Sequence, residues 1–272
     1  MRLVQIVLVS ILVSMLCSLT QAADRQRADR AFEKGQALVK NRDIPGAIVA
    51  LTEAIEQMPP SETDRLARIC VLRGGAYVAT RQFPQAIADY SKAIELDPKK
   101  PLLRTFRAIA YQQAGKLNEA RSDCDEAIRL DPKQPHLYLA RADVHCEQGN
   151  YEAAIADDTE AIRLNPRSAV ALADRATNYI QIRAYDKALA DFSEAIRLEP
   201  KRAAFYFGRG RAHQLLHNFN RAAADFTAAF KVDSALAAAY HYRSEAYRGM
   251  GDVVKAEADR AKAQELGYKS TE

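Results

Sequence analysis

An arginine stands at Arg73 and returns as Arg107, Arg141, Arg175, Arg209 and Arg243, always 34 positions on. An aspartate keeps the same interval as Asp89, Asp123, Asp157, Asp191, Asp225 and Asp259. A fixed period of this length marks one supersecondary unit stacked on copies of itself, because a single unit of that size cannot bury its apolar face alone. The fold must then rest on neighbour-to-neighbour contacts rather than on one central core. That pattern counts against an enzyme before any catalytic group is sought.

Further registers share the period. Ala47, Ala86, Ala120, Ala154, Ala188, Ala222 and Ala256 form one, and Ala54, Ala93, Ala127, Ala161, Ala195, Ala229 and Ala263 form a second, seven residues on. A third is small throughout: Gly35, Gly74, Ala108, Ala142, Ala176, Gly210 and Ser244. Within a unit the apolar residues fall three and four apart in two blocks, as amphipathic helices require. The break between blocks holds Gly115-Lys116, Gly149-Asn150 or Gly251-Asp252 in three units, where glycine can take the positive φ that ends a helix. Helices joined by so short a loop pack antiparallel. Gly74 and Ala86 let the two backbones approach, with Tyr77, Phe83 and Tyr90 filling the volume around them. Pro59, Pro98, Pro132, Pro166 and Pro200 close the second block, since proline forces its predecessor out of α geometry.

These marks resemble the tetratricopeptide repeat, over residues 28 to about 268. The resemblance implies an all-α fold, a right-handed α-solenoid of about seven helix-turn-helix repeats. The repeats are expected at 28–61, 67–100, 101–134, 135–168, 169–202, 203–236 and 237–270. In this family the arginine register is usually an apolar core site, so six arginines there need an account. Arg73 and Asp89 lie equally far from the turn near residues 81–83 and should meet across it, although Asp89 also has Arg107 of the next repeat within reach. Either way the expectation is a ladder of partly buried ion pairs. A row of anion-binding arginines is disfavoured, because each arginine has its own counter-charge.

The ends depart from the pattern. The first repeat carries Lys34 and Ala50 in place of the arginine and aspartate, and five extra residues follow it. Pro60 to Asp64 then form either a longer loop or an extra helical turn. At the other end Arg260 and Gln264 replace the aromatic and apolar residues of their registers, giving the polar outer face that protects the end of an open stack. Residues 1–22 read as a secretory leader: Arg2, an apolar run from Leu3 to Leu19, and a small-residue cleavage site ending at Ala22. The alternative is an uncleaved N-terminal membrane anchor. The expected location is periplasmic or secreted, or anchored by that segment.

Charged residues are 27% of the chain and of both signs, with a net charge of +4 that falls to +3 once Arg2 leaves with the leader. Such balance excludes nucleic acid as the partner, which needs clustered cations on one face. Cys70, Cys124 and Cys146 remain outside the leader. The first two sit in core registers, where free cysteine behaves as a small hydrophobe. His213 and His217 have metal-ligand spacing on a helix, but His213 stands in a tyrosine register. His145-Cys146 lies near Asp143 and Glu147 with no third element to complete a constellation. Asp157-Asp158 combines the aspartate register with a neighbour. No catalytic, cofactor or metal residue is assigned.

The resemblance implies that the first helix of each repeat lines a concave groove for peptide segments or proteins. Its lining would be Val71 and Val78, then Leu102, Thr105, Ile109 and Gln112, then Leu139, Asp143 and Cys146. Ala173, Thr177 and Ile180 would follow, then Phe207, Arg211 and Gln214, and last His241, Glu245 and Arg248. Phe207, Arg211 and Arg248 stand out as an exposed aromatic with two cations. The lysine and asparagine clamp of chaperone-binding members is missing, with Phe32/Gln36 and Val71/Gly75 in its place. The expected function is a non-catalytic adaptor of the cell envelope with an unidentified protein or peptide ligand. The alternative is a self-associating, anchored assembly component.

Overall fold

A computed structural model describes residues 22–269, which contain fourteen helices and no strand. Residues 1–21, which carry most of the leader reading, lie outside the described residues. The chain divides into two compact units, residues 1–132 and 133–272. The first holds α1 (22–40), α2 (Ile44–Gln57), α3 (Thr63–Ala79), α4 (Phe83–Leu96), α5 (Pro101–Gln113) and α6 (Leu117–Leu130). The second holds α7 (Pro135–Glu147), α8 (Tyr151–Leu164), α9 (Ala169–Gln181), α10 (Tyr185–Leu198), α11 (Ala203–Leu215), α12 (Phe219–Val232), α13 (Ala237–Gly249) and α14 (Val253–Glu265).

Each odd-numbered helix and its successor form a hairpin whose turn has one recurrent geometry. The residue past the first helix takes positive φ, and the next N–H reaches back to the last turn, as Lys116 does to the Tyr111 carbonyl at 2.9 Å. Glycine fills this position at Gly115, Gly149 and Gly251 (φ 74, 75 and 80°). Arg42, Arg81, Arg183 and His217 adopt the same φ, between 58 and 62°, without glycine's freedom. His217 therefore lies beyond α11, while His213 is buried within it, as its tyrosine register implied. Starts are marked by proline in the first turn of α2, α4, α5 and α7, and by side-chain caps from Asp43, Ser168 and Asp252.

The two alanine registers are at most 1% exposed at every position, so any larger side chain would wedge the hairpins apart. The glycines of the third register each answer to a facing side chain: a Cβ on Gly35 would lie 2.7 Å from Leu51, one on Gly74 2.8 Å from Tyr90, and one on Gly210 2.8 Å from Phe226. After the first hairpin, α3 runs 17 residues where α5 runs 13, so four of the five extra residues form a helical turn at its start. In α14 the buried side is Ala256, Asp259 and Ala263, while Arg260 and Gln264 are exposed.

Candidate functional site

In the first unit α1, α3 and α5 wall a cavity of about 720 Å³, within the range of ligand pockets. Its floor and sides are apolar: Phe32, Val39, Val71, Leu72, Leu103 and Phe106, with Tyr90 behind. Asp64, Arg68, Asp97 and Lys100 supply charge around it. The cavity exists because α3 presents Ala67, Gly75, Ala76 and Ala79 to it, four small side chains on one helix. A Cβ on Gly75 would meet only the Tyr90 hydroxyl, at 3.8 Å.

Of the expected groove residues in this unit, Val71 and Leu102 line the cavity. Ile109 is 38% exposed on α5 outside it, and Thr105 is buried, its hydroxyl turned back towards the Pro101 carbonyl. Phe32, Gln36 and Gly75, named only as standing in the clamp positions, line it too, whereas Leu72, Leu103 and Phe106 escaped the sequence reading. Leu72 and Phe106 directly follow or lie one turn from expected lining residues, so a wider stripe along each first helix would have included them.

In the second unit Asp143 is exposed on α7, and Leu139 and Ile180 are half-buried on α7 and α9; Ala173, expected in the lining, is buried. Phe207 is not the exposed aromatic the sequence suggested. It is half-buried against Phe226 and Tyr242, with ring centroids 5.7 and 5.4 Å away, because the small Gly210 lets α11 settle onto the α12 rings. Arg211 is likewise engaged: its guanidinium lies 3.9 Å from the Tyr242 ring centre and donates to Gln214. Gln214 donates to Glu245, and His241 stacks on Tyr268 at 4.4 Å. Arg248 alone of the three hot-spot candidates is exposed.

The arginine and aspartate registers meet within each hairpin. Arg73 donates from Nε and Nη2 to the two carboxylate oxygens of Asp89 at 2.8 and 2.6 Å. Arg107–Asp123, Arg141–Asp157, Arg175–Asp191, Arg209–Asp225 and Arg243–Asp259 repeat the fork at 2.6–2.9 Å. A third donor reaches the preceding hairpin: Nη1 of Arg73, Arg107, Arg175, Arg209 and Arg243 donates to Thr52, Ser91, Thr159, Ser193 and Thr227. Each of these arginines thus ties three helices. The carboxylate hydrogen bonds raise Arg73, Arg107, Arg175 and Arg209 above the ordinary arginine value against the opposing effect of burial. With the forks filled, these guanidinium groups offer little to an external anion.

Burial pushes the Cys70 thiol up to about 11 and raises that of Cys146, away from the thiolate that reacts. Burial also holds His213 below the ordinary imidazole value. No group of three or more potential ligands among the described residues is placed to hold a metal ion.

Tetratricopeptide repeat models match residues 107–169 and 173–215, and a further TPR repeat model matches 74–115. A tetratricopeptide repeat protein from Parabacteroides merdae ATCC 43184 superposes with a TM-score of 0.73 at 21% identity, over 90% of this chain and 95% of that one. PilW, a widely conserved type IV pilus biogenesis factor, gives 0.68 at 18% identity, over 75% and 95%. YrrB, a TPR protein with an unusual peptide-binding site, gives 0.54 at 20% identity, over 71% and 96%. At these identities the likeness to the solved structures is one of fold. Repeat models over the middle of the chain, and helical hairpins that step by 34 residues from α3 onward, place this protein in the tetratricopeptide repeat family.

Proposed function

We propose that this protein is a non-catalytic scaffold of the cell envelope that holds a peptide or protein segment against the groove of α1, α3 and α5. The observation that carries the reading is the apolar cavity at Val71, Leu72, Leu102 and Phe106, open to solvent and flanked by charges of both signs. A segment with two or three apolar anchors on one side suits such a surface, whether extended or helical. The envelope assignment draws on the leader-like residues 1–22 and on the likeness to PilW and to PilF of Pseudomonas aeruginosa, which matches with a TM-score of 0.65. If residues 1–22 remain in place, the scaffold is anchored at the membrane rather than free, and N-terminal sequencing of the exported protein separates the two.

The groove reading is tested by selecting displayed peptides on the wild-type protein and measuring them on Leu102→Asp. Leu102 is 39% exposed, so the change spares the core. Selected peptides should carry spaced apolar anchors and lose at least about tenfold in affinity on the variant, roughly the loss of one buried apolar contact. Binders indifferent to Leu102→Asp place recognition elsewhere.

A further inference from the structure

The period makes side chains of one register comparable from hairpin to hairpin. The register of Tyr90 continues as Cys124, Asp158, Phe192 and Phe226, and that of Phe106 continues as Ala140, Asp174, Gly208 and Tyr242. Where both positions are aromatic the rings meet, Tyr90 on Phe106 at 5.8 Å and Phe226 on Tyr242 at 6.1 Å. A third register joins them: Gly75 beside Tyr90, and Arg211 over Tyr242. At α7, α8 and α9 these three positions are Asp143, Asp158 and Asp174. Asp158 and Asp174 thus occupy the two stations that hold rings at Tyr90 and Phe106 and at Phe226 and Tyr242, and Asp143 occupies the station of Gly75 and Arg211.

The floor of this cluster is incomplete. Asp158 is 0% exposed, and its Oδ2 accepts from Asn178 Nδ2 at 2.9 Å. Its Oδ1 and the Asn178 Oδ1 are buried with no hydrogen-bond donor. Asn178 itself interrupts a register of Ala76, Ala110, Val144, Ala212 and Ala246, so two adjoining core positions have become polar together. Exposure is graded from exposed Asp143 through half-buried Asp174 to Asp158. In the first unit the same three stations, Gly75, Tyr90 and Phe106, line the cavity, so by register Asp143, Asp158 and Asp174 stand on the corresponding face of their own hairpins.

We propose that Asp143, Asp158, Asp174 and Asn178 form a recess for one basic side chain, the guanidinium or ammonium group of an arginine or lysine carried by a partner segment. The proposal rests on the reading that partners lie along the groove face, and it adds the chemistry they carry at α7–α9. A guanidinium offers five N–H donors and no acceptor, which matches the two buried oxygens left without donors, Asp158 Oδ1 and Asn178 Oδ1. A metal ion is a poorer match, since no ligand group among the described residues is placed to hold one.

Without a cation the cluster holds protons. Burial first, then the neighbouring carboxylates, push Asp158 up to about 7 and Asp174 up to about 6. The groups that bear on the site are Asp143, Cys146 and Glu147 from α7, Asp157 from α8, Asp174 and Arg175 from α9, and Arg202 before α11. Protonated carboxyls do not attract a cation, so binding weakens as pH falls through these values, and bound cation lowers both.

The test uses NMR of the full chain titrated with Nα-acetyl-arginine amide, Nα-acetyl-lysine amide and the neutral isostere Nα-acetyl-citrulline amide. The two cations should move the Asn178 side-chain amide signals and shift the Asp158 and Asp174 carboxyl titrations to lower pH, while citrulline does neither. Asp143→Asn and Asp174→Asn, neither in the core, should each weaken arginine about tenfold, as expected for one hydrogen bond to a charged group. Equal responses to arginine and citrulline, or indifference to both asparagine variants, overturn the proposal. Leu102→Asp keeps the two readings apart: it should weaken apolar peptides at least about tenfold and leave the arginine response intact. If apolar peptides bind and arginine does not, the recess falls and the groove reading stands.

Discussion

The α3–α5 and α7–α9 regions repeat one hairpin plan and line it with different side chains. In the first, Gly75, Tyr90 and Phe106 make an apolar hollow; in the second, Asp143, Asp158 and Asp174 make an acidic one. Because the arginine–aspartate fork is the same in both, the difference lies in the side chains and not in how the hairpins are built. A repeat scaffold can thus change its ligand chemistry at one step of the stack while the neighbouring contacts stay as they are.

The largest expected effect tests whether the shared plan depends on the fork. Arg73→Met in the first region and Arg175→Met in the second each leave a carboxylate without its guanidinium, at Asp89 and Asp191, which are 5% and 9% exposed. Each should cost about 3–5 kcal/mol in denaturant unfolding. Adding Asp89→Leu to Arg73→Met should recover much of the loss. Strict additivity in the double variant would mean that the fork contributes no coupling, and a large inequality between the two regions would break the premise that they are built alike.

The next effect separates the two hollows. Asp158→Val with Asn178→Ala restores apolar residues at both positions and removes the two buried oxygens that lack donors. Replacing a buried polar group with apolar side chains of similar volume is often stabilising, here by about 1–2 kcal/mol at pH 8. The pH dependence has a definite sign. Acids whose folded values are raised bind more protons folded than unfolded, so their contribution to stability falls as pH rises from about 4 to 7. The advantage of the double variant should therefore grow over that window in thermal melts. An advantage that is flat with pH would show that Asp158 stays charged in the fold.

Much of this was open to reading in the sequence. The 34-residue step carries the helices, the turns and the arginine–aspartate spacing, because each is set by contacts between neighbours that the period keeps in phase. What escaped notice were the exceptions. Asp158 reads as a neighbour of Asp157 when scanned along the chain, and as a break in a ring register only when compared across repeats. Phe207 looks exposed by register, yet the small Gly210 on the same helix lets α11 sink onto the α12 rings. The depth of the α3 hollow depends on four small residues acting together, which no single register displays.

The apolar hollow can be filled from one small residue of its own wall. Gly75→Leu points a side chain into open space, where only the Tyr90 hydroxyl stands near. The helix should gain about 1 kcal/mol from losing a mid-helix glycine, while apolar peptides lose at least about tenfold in affinity. The arginine response at α7–α9 should not change. If peptides bind as before, the ligand does not enter the hollow.

The smallest effect concerns the turns that hold both regions in phase. Arg81 ends α3 and Gly149 ends α7 at the same φ region, 60° and 75°, with the same bond from the following N–H to the helix. A side chain at positive φ strains the backbone, whereas glycine there does not. Arg81→Gly should then stabilise by about 0.5–1 kcal/mol, and Gly149→Ala should destabilise by about 1 kcal/mol. The two changes exchange the turn chemistry of the regions without altering either hollow, so ligand affinities should stay put while melting temperatures move in opposite directions. If affinity followed stability instead, the hollows would depend on how firmly their hairpins close, and side-chain identity at the three stations would no longer suffice to explain the difference between them.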